Sequence, residues 1–276
     1  MYPLVPSLTV LLAAASAAAA ILEMPWNRPC GTDAPPADLV TLHQKLSRKK
    51  GMARRGAYPT IDVDVRVHVI YSGQSTGKSS EHLVSNSMIQ RQMAVLNEGF
   101  NATGFVFHFK GADWTYNETL TRGHHTLQFV KSLPPGGEDC LHVYMVEQVF
   151  AEDSRVAGYA PFPYRIVGTR ARVVFIAIGT VPGAARPWYS RNLGRSLIHE
   201  AGHSLGLLHL HDGRDCLGDG DYVHDTPSQR APTYLCNTKV DTCEGEPELK
   251  AGSNYMDVLH ESVGPLTPTW QAKGSG

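Results

Sequence analysis

The sequence has no surplus of charge: 25 Lys and Arg stand against 26 Asp and Glu in 276 residues, a formal net charge of −1. Nothing in it resembles the basic footprint of a nucleic-acid binder, so no nucleic-acid partner is expected. Long hydrophobic runs are missing too. The apolar stretch LTVLLAAASAAAA, Leu8 to Ala20, is shorter than the roughly 20 residues a membrane span requires. After it there is no internal repeat and no low-complexity tract, which excludes solenoid and propeller architectures. Cysteine is sparse, five in all, and the odd number leaves one to be explained. What remains is 42% hydrophobic, enough at this length to bury a core and to suggest one domain with a cleft.

The short apolar run suits the core of a secretory signal, with Ala18-Ala19-Ala20 as an A-x-A cleavage site, although no Lys or Arg precedes it. Residues 1–20 are therefore expected to be removed, and the protein to be secreted and extracellular. Two sequons, Asn101-Ala-Thr103 and Asn117-Glu-Thr119, suit that location. Residues 21–57 are proline-rich and then basic, KLSRKKGMARRG from Lys45 to Gly56. They read either as a solvated linker or as a pro-segment cut after Lys50 or Arg55. The loop Gly73-Gln-Ser-Thr-Gly77-Lys78-Ser79 imitates a phosphate-binding loop but has three residues between its glycines where four are required.

The chemistry concentrates in HEAGHSLGLLH, His199 to His209. Residues four apart share a helix face, so His199 and His203 aim at one point with Glu200 to one side. His209 lies too far along for that face, and Gly206 supplies the left-handed turn that brings it back. Three imidazoles then hold a zinc ion with one corner open, a water there is acidified to a pKa of roughly 7, and Glu200 is placed as general base. The full spacing also predicts a tight turn carrying a methionine downstream, and Asn254-Tyr255-Met256-Asp257 fits, with Met256 as its methionine. Peptide hydrolysis is the reaction implied.

With these residues, and with blocks VRVHVIYSG (65–73), IQRQMAVLNEGFNATGFVF (89–107), LHVYMV (141–146), GYAPFP (158–163) and GDYVHDTP (220–227), the chain resembles the metzincin zinc proteases. More narrowly, it resembles the secreted fungal branch of the pappalysin family. The resemblance implies an α+β fold of the metzincin-type zincin class: a twisted mixed β-sheet with a backing helix and an active-site helix, over an irregular C-terminal subdomain. The catalytic domain would span 58–276, its upper part 58–209 and its lower part 210–276.

Other features are read through the same likeness. Arg28-Pro29-Cys30-Gly31 looks like a cysteine switch, in which a pro-segment thiolate fills the open zinc position. The competing role for Cys30 is a disulfide, for example to Cys140. Related proteases carry two disulfides beyond the zinc helix; Cys216 and Cys243 look like the first pair, while Cys236 lacks its counterpart at Glu261-Ser262-Val263. Val258 stands where relatives often have a tyrosine that donates to the oxyanion, which implies weaker turnover. Asp212, Asp215, Asp219, Asp221 and Asp225 crowd the loop 211–227. They read as solvated turn residues or as a calcium site, the family likeness pointing to Asp225 and Thr226. His211 and His224 are expected to be structural or exposed.

The local patterns agree with such a fold. Residues 61–72 alternate valine with polar residues, as a half-buried strand does. Leu83 to Leu96 reads as the backing helix with Val84, Met88, Met93 and Leu96 in one stripe. Residues 105–110, 141–146 and 172–178 read as strands, and Gly158 to Pro163 as an edge able to bind extended peptides. The expected function is zinc-dependent endopeptidase on extracellular proteins or peptides, with Zn2+ and a candidate Ca2+. The alternative is a weakened family member that acts by binding.

Overall fold

The computed structural model describes residues 30–47, 59–73, 83–101, 103–122, 140–151, 154–163, 172–185, 192–213, 216, 218–223, 226–232, 242–243 and 254–258. The expected signal peptide, both dibasic pairs and Cys236 lie outside these residues.

Four parallel strands and one antiparallel edge make the central sheet. Strand β1 is Ile61–Tyr71, and Val63, Val65, Val67 and Val69 are buried on one face, as the alternation predicts. A helix, Asn86–Phe100, joins it to β2, Phe105–Tyr116. After these come β3, Cys140–Val146, a short antiparallel hairpin of β4, Val149–Ala151, and β5, Ser154–Val156, then β6, Gly158–Tyr159, and β7, Arg172–Ala177. The sheet order is β2-β1-β3-β7-β6, with only β6 running antiparallel to its neighbour. The β4-β5 pair was not legible, since three-residue strands show no period.

Three α-helices occur among the described residues: α1, Ala37–Ser47; α2, the crossover just given; and α3, Arg195–Ser204. The stripe read from Leu83 to Leu96 is displaced. Ser85 is the N-cap of α2, its Oγ accepting from the Met88 amide at 3.3 Å, so the helix begins at Asn86. Val84 is fully buried just ahead of the cap, and the helix runs on to Phe100. Helix α1 lies in the stretch taken for linker or pro-segment, and its only buried residue is Leu39, too thin a stripe to show in the sequence.

The two faces of the sheet carry separate cores. One packs Val63, Val65, Val67 and Val69 with Ile89, Leu96, Val143 and Ile176 beneath α2 and α3, including Leu197 and Ile198. The other gathers Ile70, Tyr144, Val149, Val156 and Phe175 under the hairpin. From Leu205 onward the described residues contain no helix or strand, in keeping with an irregular lower part.

Helices α2 and α3 meet at Gly99, where an added Cβ would lie 2.5 Å from Ile198 Cδ1 and 3.0 Å from its Cγ1 and Cγ2. Gly99→Val is expected to push α3 away from its backing helix and to cost about 1–3 kcal/mol by overpacking. Denaturant unfolding of the variant beside the wild type checks this, with zinc content measured to show how far the displacement reaches.

Candidate metal centre

Helix α3 is buried from its third residue to its end, Leu197 to Ser204. Its start is held from behind. The fully buried Gln92 of α2 donates from Nε2 to the Gly194 carbonyl at 2.8 Å, where Gly194 takes a φ of 82° to begin the helix. The end follows the expected mechanism: Gly206 adopts a φ of 97°, its amide bonds the His203 carbonyl at 2.8 Å, and the chain turns so that His209 comes back toward the helix.

Three imidazoles converge there. His203 Nε2 is 3.1 Å from His199 Nε2 and 3.1 Å from His209 Nε2. Their other nitrogens are committed. His199 Nδ1 donates to the Tyr255 carbonyl at 2.6 Å and His203 Nδ1 to the Leu207 carbonyl at 2.8 Å, while His209 Nδ1 lies 3.3 Å from the Asp212 carboxylate. A carbonyl only accepts, so in the neutral ring Nε2 is left with a lone pair. Burial first, then neighbouring imidazoles, hold His203 and His209 well below their usual range, and burial brings His199 down to about 4. Lone pairs facing one another at this distance repel unless a cation lies between them. The residues therefore fit a zinc ion, with the carbonyls and Asp212 fixing the rings from behind.

A second histidine pair shows what a shared proton looks like instead. His68 Nε2 and His142 Nδ1 are 3.0 Å apart with the rings only 8° from parallel, and His68 Nδ1 bonds Asp113 at 2.7 Å. That is an in-line chain of hydrogen bonds. At the centre the rings meet at 88°, 37° and 72°, each aimed at a common point.

Cys30 supplies a fourth group. Its Sγ is 3.5 Å from His203 Nε2, and one ligand atom from each of Cys30, His199, His203 and His209 lies within 4.8 Å of the others. Burial and then Glu200 push this thiol well above its usual value, a direction that a cation would reverse. Cys30 is not bridged to Cys140, while Cys216 and Cys243 form a disulfide.

Glu200 is 1% exposed, and burial raises its carboxyl to about 8, opposed by hydrogen bonding from Cys30 and Thr32. Thr32 was not legible as a site residue. Its hydroxyl accepts from the Ala160 amide and lies 3.2 Å from Glu200 Oε2. Gly158 was also missed: a Cβ there would meet Glu200 Cγ at 2.5 Å, so only glycine lets the edge strand β6 pass this close to the carboxylate.

Met256 is buried against Leu210, the residue after His209, and its carbonyl accepts from the Leu210 amide at 3.4 Å. The turn also provides the Tyr255 carbonyl that orients His199, while the Tyr255 side chain packs into the helix-side core. Val258 is buried at 7% exposure. His211 is half-buried and stacks on His209 with centroids 5.0 Å apart. In the acidic loop, Asp215, His224 and Asp225 lie outside the described residues, and Thr226 Oγ1 is buried with no hydrogen-bond partner.

Known proteins resemble this chain in sequence and in fold. A sequence profile of the peptidase M43 family, described as pregnancy-associated plasma protein-A, matches residues 137–262. An extracellular metalloprotease of Neurospora crassa is 33% identical over 265 residues, 91% of this chain and 89% of the relative. One from Sordaria macrospora is 33% identical over 92% of this chain and 90% of its own length. Among solved structures, mature mirolysin of Tannerella forsythia in complex with a cleaved peptide superposes with a TM-score of 0.60 at 21% identity, covering 78% of this chain and 88% of that one. A promirolysin mutant gives 0.64 at 20% identity, covering 85% and 83%.

The buried groups set a pH profile for the metal-free chain. The histidines, depressed on folding, contribute stability that is present above about 6.5 and is lost as pH falls toward 4. Glu200, raised on folding, contributes stability that is present below about 4.5 and is lost as pH rises toward 8. Three histidines outweigh one glutamate on the acid side, so the urea midpoint of chelator-treated protein is expected to peak near pH 6.5 and to fall more gently toward 8. A midpoint that rises steadily from pH 6.5 to 8 contradicts the burial of Glu200.

Proposed function

The chain belongs to the peptidase M43 family of zinc metalloendopeptidases, and from that premise we propose a secreted enzyme acting on extended segments of extracellular proteins, with His199, His203 and His209 holding zinc and Glu200 as general base. The observation that carries the assignment is the convergence of three Nε2 atoms, two of them 3.1 Å from the third, with Glu200 buried beside them. Zinc in that position supplies Lewis acidity, polarising the scissile carbonyl and lowering the pKa of a water at the open corner to about 7.

The protein's own groups do the rest. Glu200 takes a proton from the attacking water and passes it to the leaving amine nitrogen as the C–N bond breaks. Substrate backbone adds to the edge strand β6, whose Gly158 carbonyl here accepts from the Gly31 amide at 2.9 Å. The polypeptide before β1 occupies this place: Cys30 blocks the fourth position and Thr32 caps Glu200. Residues 21–57 act as a pro-segment with a cysteine switch, and cleavage after Lys50 or Arg55 frees the centre. Residues 1–20 act as the signal peptide, and Asn101, exposed at the end of α2, is the better placed sequon for a glycan. The binding-only alternative rests on Val258 and on the missing cysteine counterpart of Cys236, and an intact, buried Glu200 speaks against it.

For the loop 211–227 and its continuation we add calcium. Thr226 Oγ1 and Gln229 Oε1 are buried oxygens with no partner, and Asp221 is buried at 5% exposure. Millimolar calcium is expected to raise Tm by several degrees and Thr226→Val to remove that increment, since a ligand at 100 times its Kd contributes about 2.7 kcal/mol. Equal Tm in calcium and in a calcium-selective chelator excludes the site.

Casein digestion by the secreted, processed protein tests the main assignment. Phenanthroline or Glu200→Ala is expected to lower kcat/KM by at least about a hundredfold, Glu200→Ala with zinc retained. Cys30→Ser is expected to make the unprocessed chain active. A fully processed, zinc-loaded wild type that cleaves nothing returns the protein to the binding-only class.

A further inference from the structure

The stretch 30–47 is held at two ends. At one end Cys30, Gly31 and Thr32 lie along β6 at the metal centre. At the other, α1 sets Leu39 into a small apolar pocket, where it is 2% exposed against Phe162 at 0% and Leu208 at 2%, with Tyr222 packed alongside. His43, one turn further along the helix, approaches the Gly206 carbonyl with Nε2 at 2.9 Å.

The pocket is built from the site's own elements. Phe162 continues the edge strand and sets its ring edge-on to the His203 imidazole, centroids 5.5 Å apart. Leu208 directly precedes the third imidazole, and Gly206, with its φ of 97°, turns the chain within van der Waals reach of Leu39. Tyr222 has the only positive φ among the described non-glycine residues, 64°. Bulky residues rarely keep that conformation without a use for the side chain, and here the ring closes the pocket wall.

We propose that the pocket formed by Phe162, Leu208 and Tyr222 is a substrate subsite for a leucine-sized apolar side chain, which Leu39 fills in cis until the segment is released. The proposal rests on the peptidase assignment and extends it to substrate choice. Its walls are hydrocarbon and aromatic and hold one leucine at nearly complete burial, so a leucine, isoleucine or methionine fits, whereas a charged side chain there would be buried unpaired. The segment thus copies two features of a substrate, a backbone beside β6 and a side chain in the pocket.

Two measurements test it, one on the unprocessed chain and one on the processed enzyme. In the first, zinc-loaded unprocessed protein is treated with iodoacetamide and labelling at Cys30 is followed by peptide mass spectrometry. Leu39→Asp is expected to label at least about tenfold faster than wild type and Leu39→Ile at the wild-type rate. Equal rates for Leu39→Asp and wild type overturn the cis occupancy. In the second, processed enzyme is profiled on a mixed peptide library. One fixed position relative to the cut is expected to favour Leu, Ile or Met over Asp and Lys by about tenfold or more, and Tyr222→Gly, which suits the backbone and removes one wall, to lose that preference. Cleavage without an aliphatic preference, or with one that Tyr222→Gly leaves intact, overturns the subsite. A zinc-loaded processed chain with no cleavage at all overturns the peptidase assignment instead, and the substrate subsite falls with it; the labelling rates then still decide whether Leu39 anchors the segment.

Discussion

Everything at this centre depends on where three imidazole protons are. Because the Tyr255 and Leu207 carbonyls and the Asp212 carboxylate take the Nδ1 side, the Nε2 lone pairs of His199, His203 and His209 face one another, with the Cys30 Sγ 3.5 Å from His203 Nε2. Burial forbids relief by protonation, since a charged imidazole in an apolar pocket is costlier still. The fold therefore stores a cavity that a divalent cation relieves. The rest of the upper core can be seen as serving that aim: Gln92 fixes the start of α3, Gly99 lets α2 sit close behind it, and Gly206 ends it within reach of His209.

The sheet edge and the carboxylate are coupled by the absence of one methyl group. Gly158 allows β6 to run against Glu200, so a peptide bonded to that edge necessarily lies beside this carboxylate. The same closeness makes the site easy to block. A segment that adds to β6 at Gly31 brings Thr32 onto Glu200 and Cys30 onto His203 without further adjustment, because neighbouring residues of one extended chain reach neighbouring groups of the centre. Gly31 is itself constrained there, a Cβ falling 2.8 Å from Ala151 and 2.9 Å from Val156.

Much of this was readable from the chain alone because it is periodic. The i, i+4 histidines, the glycine that ends the helix, the methionine turn and the valine alternation of β1 are all patterns of spacing; the chain turns at Gly206 to bring His209 to 3.1 Å from His203, and the β1 valines are buried. What was not readable is carried by backbone or by distance in sequence. The acceptor for His199 is the Tyr255 carbonyl, which any residue could supply. Thr32 and Glu200 are 168 residues apart, and a lone threonine has no signature. Helix α1 shows no apolar stripe in the sequence since it buries only Leu39, and the start of α2 lies beyond the expected Leu83 because Val84 is buried from outside the helix.

If residues 21–57 act as the proposed pro-segment, its two anchors also account for how a single cut would release it. While the chain is continuous, the groups at Cys30 and at Leu39 are tethered to β1 through residues 48–60, and rebinding after each local opening is intramolecular. For a short linker the effective concentration is of millimolar order, so contacts that are individually modest hold the segment in place. Cleavage within that stretch leaves every contact intact but turns rebinding into a bimolecular event at the protein's dilute concentration. Release then follows from mass action rather than from any change at the zinc site, and the segment needs no contact so strong that it would also resist removal.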